Sequence, residues 1–573
     1  MVISDIIAER HSPRLTWTRR SVSLSLAVTR QKKSPLAVIL PWTPFVVLAG
    51  AAYLPGLWPQ TAGSLGALLA LLWSAWVLKN RATGTSLNFS IPFIALALWA
   101  GAGSLWSQNP GATLHSLLYV GLAVIVYRAA REPGAVEPHR LFFFLTLLGA
   151  VRTAELLIYG LFVKEGVAVA FWGSPNPNFA GLTAALGAVA SLRGVHGTSR
   201  ARRAAWVLPI VTGLTLFGHN MMGPLFALLI GALVWSAVDR RKPKILWSAP
   251  LFAAFLLTLF AFGPSFLLNN PGDPARLERL TIWKDTLRMI VAHPWGAGLG
   301  TFETFVREFQ SLPGTRVAPH AHNEFLELLF ELGLPGGLTA LALFAGAVGG
   351  SVRKTFGPIR RPPAEQSNEA ARWGLLGALS AAAFVDFPMR AMFPLLLAAF
   401  VLAMGQANPP SPKPRASNGA WVVLMILIAL GHGAVAGLGF FHRLGKARLH
   451  SGDYAGALPW FERAAHLWPW EPHLYFDQAD CFVRTNRPDE AAARLTRSLR
   501  RSPRDIVNRR ALAKLTLARN GPADAARVYA PILQMAPTYA PYWREMGDLL
   551  LWSGDTVQAE RHRARAQNLL AGE

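Results

Sequence analysis

The sequence predicts an all-α protein in two parts: a polytopic transmembrane helical bundle of about 12–13 spans, followed by a soluble α-solenoid. Three observations carry this. Apolar runs long enough to cross a bilayer recur from about residue 36 to residue 440; Lys and Arg gather in alternate connecting segments; and from about residue 440 the composition changes to a charged pattern with a period of 34 residues.

A helix needs about 20 apolar residues to cross the hydrocarbon core, where every backbone amide must find its partner within the helix. Thirteen runs are candidates, several of them short or interrupted by proline, at roughly 36–58, 61–78, 89–106, 113–127, 141–161, 178–192, 204–218, 221–238, 245–267, 323–350, 372–388, 391–405 and 419–440. A large soluble helical protein would interrupt such runs with charged faces every 3.6 residues. Only 15% of this chain is charged against 52% hydrophobic, and that interruption is missing.

Basic residues mark the orientation. They fill an N-terminal arm over residues 1–35 (Arg10, Arg14, Arg19, Arg20, Arg30, Lys32, Lys33), then recur at Lys79, Arg128, Arg193, Arg240, Arg353 and Lys413 and their neighbours, in every second connection. The positive-inside rule makes those connections cytoplasmic. The loop 268–322 then faces outward, and an odd number of spans puts the tail outside as well. The net charge of +24 therefore reports topology rather than nucleic-acid binding. The arm lacks a small-residue cleavage site after a short apolar core, so the first span itself is expected to direct insertion. Cys481 is the one cysteine, which excludes an internal disulfide and a Cys-rich metal site.

In the tail, Pro469, Pro503 and Pro537 are spaced 34 residues apart, as are Ala457, Ala491, Ala525 and Ala559. Gly445, Ala479, Ala513 and Gly547 repeat a small position, and Phe441, Tyr475 and Trp543 an aromatic one. Small residues let paired helices approach, and proline stops the second helix before the next pair. This is the tetratricopeptide signature, expected over residues 441–573. Such an array offers a groove for a protein partner, or serves as a spacer or a brace for the loop.

The most informative stretch joins the outer loop to the next span: Pro319-His320-Ala321-His322-Asn323-Glu324, continuing through Glu327 and Glu331 to Gly333 and Gly336. Polar groups at a membrane edge need a use. The outward loop also holds Arg276, Arg279, Lys284, Arg288, Arg307 and Arg316, against the usual charge rule. Guanidinium groups suit the oxygens of an anionic substrate such as a phosphate. The three glutamates share one helical stripe, so they are expected either to line the site or to pair with the loop arginines. Arg152 and Glu155, three residues apart inside a span, are expected to form a structural pair.

The run Arg279-Leu-Thr-Ile-Trp283, His293-Pro-Trp-Gly-Ala-Gly-Leu-Gly300 and His322-Asn323, followed by nine residues, Gly333, two residues and Gly336, resembles the signature region of the O-antigen ligase and polymerase family. Asn176-Pro-Asn178-Phe-Ala-Gly181 and Asp386-Phe-Pro-Met-Arg390 look similar to two further landmarks of that family. The resemblance implies a metal-independent glycosyltransferase without a cofactor. It would move a glycan from an undecaprenyl-diphosphate carrier to an acceptor on the outer face of the bacterial inner membrane. Lipid A core, another repeat unit and a protein hydroxyl are all acceptors within the family.

By this analogy His322 activates or orients the acceptor hydroxyl, and Asn323 caps the helix or bonds the acceptor. Arg279 matches the diphosphate-binding arginine, with Arg276 and Arg316 beside it. His320, Glu324, Glu327, His219 and Asn178 are accessory candidates. One stretch departs from the family: Phe217-Gly-His219-Asn-Met-Met-Gly223 stands where many members carry an arginine in a Ser-Arg-Gly turn, and His219 is the substitute on offer. Three other readings stay open: a zinc site at His320, His322 and the glutamates; a lipid-linked glycan flippase; and an inactive scaffold that recruits partners through the repeats.

Overall fold

The computed structural model describes residues 45, 48, 49, 59–81, 91–132, 134–162, 177–239, 275–311, 318–357, 362–406 and 419–571. The basic arm, most of the span expected at 36–58, the span expected at 245–267, Arg316 and the side chain of Arg276 lie outside them. Among the described residues every regular element is helical and no strand occurs.

The membrane part contains α1 (Pro59–Arg81), α2 (Ile91–Ala102), α3 (Pro110–Ala130), α4 (Pro138–Phe162), α5 (Pro177–Ser191), α6 (Ser199–Gly218) and α7 (Met222–Val238). After the undescribed stretch come α8 (Ala275–Ala292) and the short α9 (Phe302–Phe309), then α10 (Glu324–Phe356), α11 (Pro363–Val385), α12 (Met392–Gln406) and α13 (Gly419–His450). By length and composition Pro110–Ala130, Pro138–Tyr159, Glu324–Phe356 and Gly419–His450 suit a bilayer crossing, and five shorter apolar helices accompany them. Leu72, Leu98, Phe143, Leu214 and Leu430 are each at least 65% exposed, as side chains meeting lipid should be.

Small residues bring the bundle together, because helices in lipid gain from close packing rather than from further apolar burial. Gly149 of α4 and Gly187 of α5 touch backbone to backbone: a Cβ on Gly187 would sit 2.4 Å from the Cα of Gly149. α5 is thereby buried along most of its length between α4, α7 and α11. The expected intramembrane pair forms, Arg152 Nη1 donating to Glu155 Oε2 at 2.9 Å with the arginine fully buried.

α13 does not end at the boundary expected near residue 440. It continues to His450 and supplies the first helix of the repeat array, so the junction is one unbroken helix. The array then pairs α14 (Tyr454–Leu467) with that end, α15 (Pro472–Arg484) with α16 (Pro488–Arg501), α17 (Ile506–Asn520) with α18 (Pro522–Tyr529) and α19 (Pro531–Met535), and α20 (Ala540–Trp552) with α21 (Thr556–Ala571). The repeating small position is explained by Gly445, where a Cβ would come within 2.4 Å of the Phe461 ring. The repeating polar tip is explained too. Tyr475 Oη, Arg509 Nη2 and Trp543 Nε1, each 34 residues apart, donate to the carbonyl oxygens of Pro469, Pro503 and Pro537 at 2.8–2.9 Å.

Candidate functional site

The site is built where α10 begins. Asn323 adopts an extended backbone as its N-cap, and its side-chain oxygen accepts from the amides of Phe325 and Leu326, both at 3.1 Å. That satisfies two of the donors a helix start leaves open. His322, just before it, has φ +50°, a left-handed conformation that costs a non-glycine residue about 1–3 kcal/mol.

This turn aims His322 at Asp386, the C-cap of α11. Nδ1 lies 3.4 Å from Asp386 Oδ1, within ion-pair reach but outside hydrogen-bond geometry. Asp386 is itself fixed. Its Oδ1 accepts from the Phe387 amide at 3.0 Å, and its Oδ2 from Asn178 Nδ2 of α5 at 3.3 Å. The ring of Phe387 lies between the two histidines, stacked on His320 at 4.0 Å and edge-on to His322 at 5.2 Å.

Behind the histidines, Arg390 gathers the glutamates of α10. Its Nη2 lies 2.7 Å from Glu331 Oε2 and 3.0 Å from Glu327 Oε1, and its Nε is 3.8 Å from Glu324 Oε2. Burial works against the guanidinium charge, yet Glu331, Glu327 and Glu324 more than offset it and raise the Arg390 pKa. The glutamates are held from other sides as well. Glu327 meets His320 Nδ1 at 2.9 Å through Oε1 and accepts from the Ala321 amide at 2.9 Å through Oε2. Glu324 Oε1 accepts from the Met389 amide at 2.8 Å, and Glu331 Oε1 from the Phe302 amide at 3.3 Å.

The glycines of the motif shape the same junction. Gly333 has φ +70° and breaks the helical path inside α10; a Cβ there would lie 2.3 Å from the Trp295 carbonyl carbon. The His293-Pro-Trp-Gly turn packs into this gap, and its Ala297 and Gly298 amides donate to the carbonyls of Phe330 and Glu331. Gly336 makes room for the Trp99 indole, whose Nε1 donates to the Leu332 carbonyl at 2.7 Å. Trp283 of α8 donates to the Ala321 carbonyl at 3.0 Å, which fixes α8 against the histidine segment.

Of the residues expected at the site, His322, Asn323, His320, Glu324, Glu327 and Asn178 come together. Arg279 lies one helical turn before Trp283, on the same side of α8 by the 3.6-residue period. His219 points elsewhere, its Nε2 lying 2.9 Å from the Leu156 carbonyl of α4. The glutamates pair with Arg390 and, among the described residues, with none of the loop arginines. Arg288, one of those arginines, staples the end of α9 instead, bonding Ser311 Oγ at 2.7 Å and Asp285 at 3.2 Å. Among the described residues no three His, Cys, Asp or Glu side chains are grouped as a metal site.

Asp386, Phe387 and Arg390 were the residues not assigned to the site from sequence alone. A signal for them existed: carboxylates at 324, 327 and 331 in an otherwise apolar helix require a cation, and Arg390 stands alone between two apolar stretches.

Residues 205–341, from α6 through the paired glycines of α10, match the family model described as O-antigen ligase, and residues 448–515 match that of the tetratricopeptide repeat. No curated protein gives a significant match. The chain thus combines helices suited to cross a membrane with a segment similar to the O-antigen ligase family and, continuous with its last such helix, a segment similar to tetratricopeptide repeats.

Proposed function

We propose that the protein is a glycosyltransferase that moves a glycan from an undecaprenyl-diphosphate carrier to an acceptor hydroxyl at the outer face of the bacterial inner membrane. The observation that carries this is the pairing of His322, just before α10 and inside the segment that matches the ligase family, with Asp386 at the end of α11. An imidazole backed by a carboxylate on one ring nitrogen is suited to take a proton on the other.

In the reaction the acceptor O–H gives its proton to His322 as the oxygen bonds to the anomeric carbon. The bond from that carbon to the diphosphate breaks, and the diphosphate leaves with the electron pair. Asp386 stabilises the imidazolium that results. A single displacement of this kind inverts the anomeric centre. The leaving diphosphate is met by Arg279, with Arg276 and Arg316 as helpers, so that guanidinium groups offset the developing charge. Because His219 is turned toward α4, Arg279 carries the greater share. Arg390 is committed to three glutamates and serves the shape of the site.

Two observations support this side of the membrane. The array and α9 touch one another, which supports a common face for the site and the repeats, and the positive-inside rule supports the opposite face for the basic connections of the sequence. The carrier's isoprenoid tail would stay in the outer leaflet and present its diphosphate sideways. The acceptor is a lipid A core sugar, another lipid-linked unit or a protein hydroxyl.

The reading is tested in cells lacking the protein. Carrier-linked glycan should accumulate with its sugar exposed on the outer face, while the mature conjugate is lost. Accumulation on the inner face alone would instead indicate a flippase and overturn the assignment.

A further inference from the structure

The repeat array reaches the site. α9 has only eight residues, too few to hold a helix alone, so its position depends on what grips it. On one side it packs into the membrane part: Phe302 and Phe305 lie edge-on to Phe330 at 5.9 and 5.7 Å, and Phe305 meets His293 at 4.8 Å. Its first amide, that of Phe302, is the one that donates to Glu331. On the other side it meets Arg504 of the array. Arg504 Nη2 pairs with the Glu308 carboxylate, its Nε donates to the Thr304 carbonyl at 3.4 Å, and its guanidinium lies 4.3 Å over the Phe305 ring.

The array is itself anchored, so this grip has something to pull against. It shares α13 with the bundle. One repeat before Arg504, at the equivalent position after Pro469, Trp470 presses on the first turn of α3: a Cβ on Gly111 would meet the Trp470 carbonyl at 2.8 Å. Two successive inter-repeat turns are therefore seated on the membrane part. A mere spacer needs neither contact.

Resting on the reading of the site given above, we propose that Arg504 is a positioning residue of the transfer reaction. By holding α9 it holds Phe302 against Glu331, and through Glu331 it sets Arg390, Glu327 and His320. The array is then a working part of the enzyme whether or not its groove binds a partner.

The test uses the full-length protein in lipid nanodiscs, comparing wild type with Arg504→Ala, Arg504→Lys and the charge swap Arg504→Glu/Glu308→Arg. Two readouts are taken: amide hydrogen exchange over 302–309, and kcat and KM for transfer from a carrier-linked glycan. For Arg504→Ala, kcat should fall about 2- to 30-fold with KM little changed, the range in which indirect couplings are measured. Protection of 302–309 should be lost while that of α3 stays, and the lysine and swap variants should recover part of both. Unchanged protection in Arg504→Ala overturns the proposal even if no transfer can be detected in any variant, and lost protection with full kcat overturns it as well. A wild type that never transfers glycan while Arg504→Ala loses protection counts against the function, and leaves Arg504 established as the support of α9.

Discussion

Arg390 Nη2 stands 2.7 Å from Glu331 and 3.0 Å from Glu327, so that one guanidinium from the turn after α11 closes three carboxylates of α10 into a single buried cluster. Attraction in such a place repays desolvation only when the geometry is complete, and removing one partner leaves charge uncompensated. Arg390→Met should therefore lower the stability of the solubilised protein by about 3–5 kcal/mol, read as a loss of thermal midpoint. Arg390→Lys should recover only part, because an ammonium lacks the fork that reaches Glu331 and Glu327 together. A midpoint for Arg390→Met equal to wild type would show that the cluster is not a unit.

Gly333 is the position where a side chain has no room. Its φ of +70° alone disfavours alanine by about 1–3 kcal/mol, and the Cβ would strike the Trp295 carbonyl carbon at 2.3 Å. Gly333→Ala should displace the His293–Gly298 turn and reduce both stability and transfer. Gly346, in the same helix with open space around it, is the control, and Gly346→Ala should behave as wild type. Equal stability in the two variants would contradict the packing described for the turn.

Burial lowers the pKa of His293, with Arg504 acting in the same direction and Glu308 opposing. The sign follows from linkage. A histidine whose folded pKa is depressed resists a proton that the released chain takes up at about 6.5, so stability falls as pH drops through that window toward the folded value. Hydrogen exchange over 302–309 should accelerate between pH 8 and pH 5 beyond its intrinsic rate change, and His293→Gln should remove the excess. An excess that persists in His293→Gln would assign it to another group.

Much of this protein was legible in its sequence. The apolar runs and the 34-residue prolines gave the two-part helical architecture because length and period are local properties. Histidine and asparagine at 322 and 323 could be placed at a helix start for the same reason. The partners could not. That Glu331 finds Arg390, 59 residues away, or that His322 faces Asp386, depends on how α10 and α11 cross. The glycine at 333 announced itself in the motif, yet its reason, the Trp295 turn pressing into α10, is a contact between distant segments. Arg504 carried no signal at all, since a charged residue after a repeat proline reads as solvated surface until Phe305 is found beneath it.

The proposed transfer rests on His322 taking the acceptor proton with Asp386 behind it. Mass analysis of glycans from cells carrying wild type, His322→Ala or Asp386→Asn, each confirmed to reach the membrane in equal amount, tests it most directly. Transfer should fall about 10²–10⁴-fold in His322→Ala, with carrier-linked glycan accumulating in place of the mature conjugate, and by a smaller factor in Asp386→Asn. A His322→Ala protein that inserts normally and still forms the conjugate at the wild-type rate would contradict the account.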